Sequence, residues 1–263
     1  MDERERDIAE DKEDIEESRR QEAESRRMTK EPILRIEDVV KKFGEVVALD
    51  HCSFDIESGS ITGLIGPNGA GKTTLFNLIT GVLQPDQGHI YLRGEEITYK
   101  KPYQIARQGV GRTYQIIRIF PKMTLLENLI VVGKVKGRKV MERAMDLLHL
   151  VKLAEKKDDY ASDLSFGQQK LLSLAQVLML DAKLILLDEP AAGINPTLQN
   201  ELMALIHQLN EGGKTFIIIE HDMNLIMGHC EKAIALNYGQ KIAEGSCSVI
   251  QKDESLLEHY FGR

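Results

Sequence analysis

The sequence predicts an α/β fold: a mixed, mainly parallel sheet core, an antiparallel β layer ahead of it and a helical subdomain. Three observations predict it. The stretch Gly66-Pro67-Asn68-Gly69-Ala70-Gly71-Lys72-Thr73 fits the phosphate-loop pattern G-x-x-x-x-G-K-[ST]. It stands where that pattern has to stand, between the apolar run Ser60 to Ile65 and the helix-like run Thr74 to Ile79. From Gln168 onward helical and strand-like segments alternate: helix Gln168 to Leu180, strand Leu184 to Leu187, helix Thr197 to Leu209, strand Thr215 to Ile219, helix Met223 to Cys230, strand Ala233 to Leu236. Such alternation builds a parallel sheet whose strand ends carry the site. Ahead of the phosphate loop, short strand-like runs separated by turn residues indicate an antiparallel layer.

Taken in order, Met1 to Arg27 holds 12 acidic and 7 basic side chains and almost nothing to bury, so it carries −5 of the total −7. The i,i+4 pairs Glu16 with Arg20 and Glu22 with Arg26 favour a solvated helix, each by only about 0.2–0.5 kcal/mol. A frayed helix or disorder is expected over 1–27, an alternative start at Met28 is compatible with the sequence, and a single domain is expected over 28–263. The first strand is Ile33 to Val40, followed by a turn at Phe43-Gly44, then Val46 to Leu49 and Cys52 to Ile56. His89 to Leu92 is a further strand, closed by Arg93-Gly94. From Lys122 to Leu153 helical periodicity dominates, with Leu125, Leu126, Leu129 and Ile130 on one apolar face and Met141, Met145 and Leu148 on another. The helical subdomain is placed at about 116–180.

Composition bounds the class. A chain of 263 residues with 42% hydrophobic side chains can bury a sizeable core. Cys52, Cys230 and Cys247 are widely spaced and lack metal-ligand partners, which reads as reduced thiols inside a cell. No apolar run approaches the roughly 18 residues that a spanning helix needs, and the first residues lack the apolar core of a signal peptide. Any membrane spans this protein works with are expected on another chain.

The motifs carry the chemistry. In the phosphate loop, glycines let successive backbone N–H groups converge on phosphate oxygens. The helix N-terminus adds the positive end of its dipole, Lys72 supplies a charge, and the Thr73 hydroxyl can ligate Mg²⁺. Leu184 to Leu187 is an apolar strand ending in Asp188 and Glu189, which suits Asp188 holding Mg²⁺ through water while Glu189 faces the γ-phosphate as general base. Leu164-Ser165-Phe166-Gly167-Gln168 opens a helix and offers a hydroxyl, amides and a dipole to an anion; it equally suits a plain cap with a glycine turn. His221, at a strand end, can donate to the γ-phosphate or simply face solvent. Gln115, in a loop after Gly111-Arg112-Thr113-Tyr114, can reach the metal or the attacking water.

In this order these residues resemble the ATP-binding cassette (ABC) family, from about Ile33 to the C-terminus. The resemblance implies a phosphate-loop ATPase with ATP and Mg²⁺ as cofactors. It makes Phe43 the aromatic on adenine, and Gly66, Pro67, Asn68, Gly69, Ala70, Gly71, Lys72 and Thr73, with Thr74 after them, the Walker A loop. Gln115 is then the Q-loop glutamine, and Ser165, Gly167 and Gln168 belong to the signature. Asp188 and Glu189 form the Walker B pair, and His221 is the switch histidine. Catalysis falls to Glu189, His221, Lys72 and Gln115, and the metal to Thr73, Gln115 and Asp188. Phe166 stands where many members have glycine and Asn195 where aspartate is usual, which implies altered coupling at most.

Within the family the chain is similar to ATPase subunits of branched-chain amino-acid importers, on Gly111 to Gln115, Glu189 to Pro196, Glu220 to Met223 and the closing Glu258-His259-Tyr260-Phe261-Gly262. The alternatives are the cytoplasmic ATPase of lipopolysaccharide export and a soluble iron–sulfur assembly ATPase. The implied partners are a second ABC subunit in a head-to-tail dimer, in which Ser165 and Gly167 complete the other subunit's site, and integral-membrane permeases at the cytoplasmic face; no nucleic-acid partner is expected. Ile116, Ile117, Ile119 and Phe120 are candidates for the permease contact or for ordinary core. Since 1–27 carries no motif, a chain starting at Met28 is expected to keep the full-length ATPase rate, and loss of most activity on truncation would refute this.

Overall fold

The computed structural model describes residues 32–134 and 137–251, so the expectations for Met1 to Arg27, Met28 and Glu258 to Gly262 lie outside the described residues. β1 (Pro32–Phe43) and β2 (Val46–Glu57) form a long antiparallel hairpin whose register runs from Pro32↔Glu57 to Phe43↔Val46. The two strands expected over Val46 to Leu49 and Cys52 to Ile56 are one strand, bent where His51 takes φ 50°. β1 also pairs with β4 (Gln87–Leu92), which turns back through Arg93-Gly94 into β5 (Glu95–Glu96), giving the order β2-β1-β4-β5.

The second sheet has the order β10-β9-β3-β8-β7-β6, from β3 (Ile61–Ile65), β6 (Val110–Arg112), β7 (Leu184–Asp188), β8 (Thr215–Ile219), β9 (Lys232–Asn237) and β10 (Gln240–Ser246). All its pairings are parallel except β10 with β9. Its central strands are apolar on both faces because both are covered. Leu184 and Leu186 pack towards the antiparallel layer, while Ile185 and Leu187 pack towards the helices; β8 divides in the same way, with Ile217 and Ile219 on one side and Phe216 and Ile218 on the other. α1 (Lys72–Ile79) puts Leu75, Phe76, Leu78 and Ile79 into the core between the two sheets.

The helices on the far face are α3 (Leu125–Ile130), α4 (Arg138–Leu150), α5 (Phe166–Met179), α6 (Pro196–Glu211) and α7 (Met223–His229); α2 (Pro102–Arg107) precedes β6, and α8 (Cys247–Ile250) follows β10. The helical span expected from Lys122 to Leu153 is thus two helices with a break between them. The first face stands, with Leu125 and Leu129 buried and Leu126 and Ile130 packed at its edge. Of the second, Leu148 is buried and Met145 packs against the core, but Met141 is corrected: it is 50% exposed, and α4 buries Val140, Ala144 and Leu147 beside Leu148. Asn128 of α3, fully buried, ties the preceding loop to α5. Its Nδ2 donates to the carbonyls of Phe120 (2.9 Å) and Thr124 (2.9 Å), and its Oδ1 accepts from Phe120 N (2.8 Å) and Gln176 Nε2 (3.2 Å). A buried amide is tolerable only when satisfied in this way.

Candidate functional site

The phosphate loop runs from the end of β3 into α1, and its glycines are required by contact as well as conformation. A Cβ on Gly66 (φ +155°) would stand 2.4 Å from the Leu236 carbonyl oxygen, and one on Gly71 (φ +102°) 2.5 Å from that of Ala48. The hairpin between β9 and β10 braces the loop through Gly239 N donating to Ala70 O at 3.1 Å. Lys72 is buried, and its Nζ donates to the carbonyls of Gly66 (2.5 Å) and Pro67 (2.9 Å). Burial pushes the Lys72 amine down, opposed by the negative charges of Glu189 and Asp188.

Around this loop lies a cavity of about 650 Å³, lined by Phe43, Val46, Val47, Ala48, the run Asn68 to Thr74, Gln115, Glu189, Ile219 and His221. That volume is within the roughly 300–1,000 Å³ of small-molecule and cofactor sites. Phe43 stands at one side with its ring exposed and Lys41 Nζ 5.6 Å from its centroid. Three sequence-predicted residues from separate loops meet at the other side. Glu189 Oε1 lies 2.9 Å from His221 Nε2, and Gln115 Nε2 donates to Glu189 Oε2 at 2.9 Å. Glu189 itself holds φ 50°, a left-handed conformation that a residue with a Cβ adopts at a cost of about 1–2 kcal/mol. Its N–H is fixed to Ile219 O at 2.9 Å.

Asp188 is one residue away but does not line the cavity. Its carboxylate is buried against Arg112, whose Nη2 donates to Asp188 Oδ2 at 2.8 Å and whose Nη1 donates to Asn77 Oδ1 at 2.6 Å. The guanidinium packs on the rings of Phe76 (5.3 Å) and Tyr114 (4.7 Å), and Tyr114 carries Arg118 at 4.0 Å. Arg112 is a site residue to which the sequence assigns no role: it stands in the stretch before Gln115 and in the family likeness over Gly111 to Gln115. Val110 to Arg112 is strand β6, which sets Arg112 beside Leu186 in register.

The segment Leu164 to Gln168 lies elsewhere. Ser165 caps α5, its Oγ accepting from Gln168 N at 3.4 Å while Gln168 Oε1 accepts from Ser165 N at 3.1 Å. Gly167 is buried under α6, where an added Cβ would meet Leu198 Cδ2 at 2.2 Å. None of Ser165, Gly167 and Gln168 lines the cavity. Of the two departures, Phe166 packs over Gly193 and under Lys170, and Asn195 caps α6 by accepting from Leu198 N at 3.0 Å. Ile116 is 82% exposed and Phe120 is also exposed, whereas Ile119 packs against the core and Ile117 lines a small void beside Tyr114.

The donor set suits a hard cation: the Thr73 hydroxyl, the Gln115 amide oxygen and the Asp188 carboxylate are all oxygen ligands, the kind Mg²⁺ takes. The loop glycines, with Lys72 at their centre, suit a polyphosphate.

The ABC transporter family matches residues 49–192. A high-affinity branched-chain amino acid transport ATP-binding protein, BraF of Pseudomonas aeruginosa, is 38% identical over 250 residues, covering 88% of this chain and 98% of that protein. A probable branched-chain amino acid transport ATP-binding protein, LivG of Archaeoglobus fulgidus, is 36% identical over 245 residues, covering 88% and 95%. Among solved structures, the ADP conformation of an ATP-binding cassette of an ABC transporter superposes with TM-score 0.82 at 36% identity, covering 89% of this chain and 100% of that one. A dimeric bacterial ABC transporter cassette superposes with TM-score 0.74 at 26% identity, covering 81% and 98%.

Proposed function

This chain belongs to the ABC transporter family and is one of its ATPases, and on that premise we propose that it drives a branched-chain amino-acid importer. The observation that carries the hydrolytic reading is the Glu189 carboxylate held between His221 and Gln115 at the edge of the phosphate-loop cavity. The names of the relatives support the branched-chain substrate over lipopolysaccharide export or iron–sulfur assembly.

In this reading Phe43 stacks on the base, the amides of Asn68 to Thr74 hold the phosphates, and Lys72 turns from the Gly66 and Pro67 carbonyls to the γ-phosphate. Thr73 and Gln115, with Asp188 through water, would hold Mg²⁺, which would supply positive charge against the polyphosphate. Glu189 orients the attacking water and takes its proton, and His221 donates to the γ-phosphate. Ser165, Gly167 and Gln168, outside the cavity of their own chain, complete the site of a second ABC subunit; a dimeric cassette of similar fold supports this arrangement. The helical region, about 116–180, with exposed Ile116 and Phe120, faces the permease at the cytoplasmic side. Among the described residues no helix is long and apolar enough to cross a membrane.

Lys72→Ala tests the reading in cells and in solution. It removes the loop's charge and keeps the backbone cradle, so calorimetry should show weakened ATP binding and turnover should vanish. Uptake of labelled leucine, isoleucine and valine in cells lacking this chain should return with the wild type and not with the variant. Unchanged ATP binding by Lys72→Ala would remove the loop as the site; uptake unaffected by loss of the chain would remove the substrate.

A further inference from the structure

Lys170 is the one cation of α5, the helix that Ser165 and Gly167 open. Its Nζ leaves that helix to donate to the carbonyls of Glu189 (2.6 Å) and Pro190 (3.0 Å). These carbonyls belong to the turn in which Glu189 holds its left-handed φ of 50°. Other groups hold the rest of the turn: the buried Glu220 carboxylate accepts from Ala191 N at 2.6 Å, and Gln199 Nε2 donates to Ala191 O at 3.1 Å. Of these three side chains, Lys170 is the one that bonds the Glu189 peptide itself. Burial pushes the Lys170 amine down, opposed by the negative charges of Glu220 and Glu189. A lysine serving only to fill space would send its head group to water along its stem; this one is turned onto the two carbonyls of the strained corner.

We propose that Lys170 is a positioning residue for hydrolysis, fixing the Glu189 backbone from the signature helix so that the aim of the Glu189 carboxylate depends on where that helix sits. The proposal rests on the reading of Glu189 as the base and deepens it. In the head-to-tail dimer the same helix touches the nucleotide held by the other subunit, so Lys170 joins the grip on one nucleotide to the chemistry on the other.

Lys170→Met keeps the stem and removes the donors; Lys170→Arg keeps a donating cation. Misplacing a catalytic group by about 1 Å lowers turnover on the order of 100-fold, so Lys170→Met should lower kcat by about 10- to 100-fold with KM for ATP unchanged. Lys170→Arg should recover part of that loss. In single turnover, Lys170→Met with Glu189→Gln should be no slower than Glu189→Gln alone, because two residues acting through one group are not additive. Wild-type kcat in Lys170→Met would overturn the proposal, as would an additive loss in the double variant or a loss that Lys170→Arg leaves unrepaired. Lys170→Gln, too short to reach both carbonyls, carries the same expectation as Lys170→Met if that variant does not fold. A wild type that fails to hydrolyse MgATP would instead remove the parent reading, and the two failures are told apart by that one control.

Discussion

Glu189→Gln should hydrolyse ATP about 10²–10⁴-fold more slowly than the wild type, the usual contribution of a positioned general base, while still binding it. The substitution keeps side-chain length and leaves both neighbours of the carboxylate with a partner: the new amide can accept from Gln115 and donate to His221, at the 2.9 Å separations seen for each. The left-handed backbone at 189 is the same for glutamine and glutamate. What is lost is the negative charge and the basic oxygen, and Lys72, Thr73 and Asp188 remain to hold the nucleotide. ATP then stays intact between the subunits, so the variant should shift to dimer in size-exclusion chromatography with ATP and not with ADP, whereas the wild type with ATP should run mostly as monomer. Wild-type turnover by the variant would take the base role from Glu189. A variant that stays monomeric under saturating ATP would remove the sandwich dimer.

How much of this site the sequence disclosed follows from which interactions are local. The phosphate loop, the acid-terminated strand β7 and the cap at Ser165 are each written in consecutive residues, so their elements and edges agree with the structure to within a residue or two. The meeting of Gln115, Glu189 and His221 was legible only through the likeness to a family, because those residues are brought together by the parallel order β8-β7-β6, which no local pattern specifies. β6 was missed for a related reason. It is three residues long, contains Gly111, and stands at the sheet edge beside β7 alone, so propensity says little about it. Gly111 itself is needed there, since a Cβ would meet Val177 Cγ1 at 2.4 Å. Met141 was misplaced because periodicity gives the width of an apolar stripe more securely than its angle on the helix. The face of α4 is fixed by packing against α3 and α5, elements from either side in the sequence. Neither Arg112 nor Lys170 shows its partner in its local sequence: Arg112 meets Asp188 through the neighbouring strand β7, and Lys170 meets the Glu189 and Pro190 carbonyls from helix α5.

Arg112→Met should lower the stability of the nucleotide-free protein by about 3–5 kcal/mol, the effect of stranding one member of a buried ion pair. Arg112 and Asp188 have side chains only 4% and 6% exposed, joined at 2.8 Å, so solvent cannot compensate the carboxylate left behind. For a chain of this size about 1 kcal/mol corresponds to roughly 2–4 °C in Tm, and a fall on the order of 10 °C is expected in calorimetry. Methionine retains most of the contact with Phe76 and Tyr114, so packing loss is the smaller part. The second variant separates the two contributions. Replacing both members of a buried pair is often close to neutral, and Arg112→Met with Asp188→Asn should regain most of the lost Tm while remaining inactive, since Asp188 is the proposed metal carboxylate. A single variant that melts with the wild type would show that the pair carries no stability. A double variant that melts as low as the single one would assign the loss to the guanidinium's stacking between Phe76 and Tyr114, and to its bond with Asn77, rather than to an uncompensated charge.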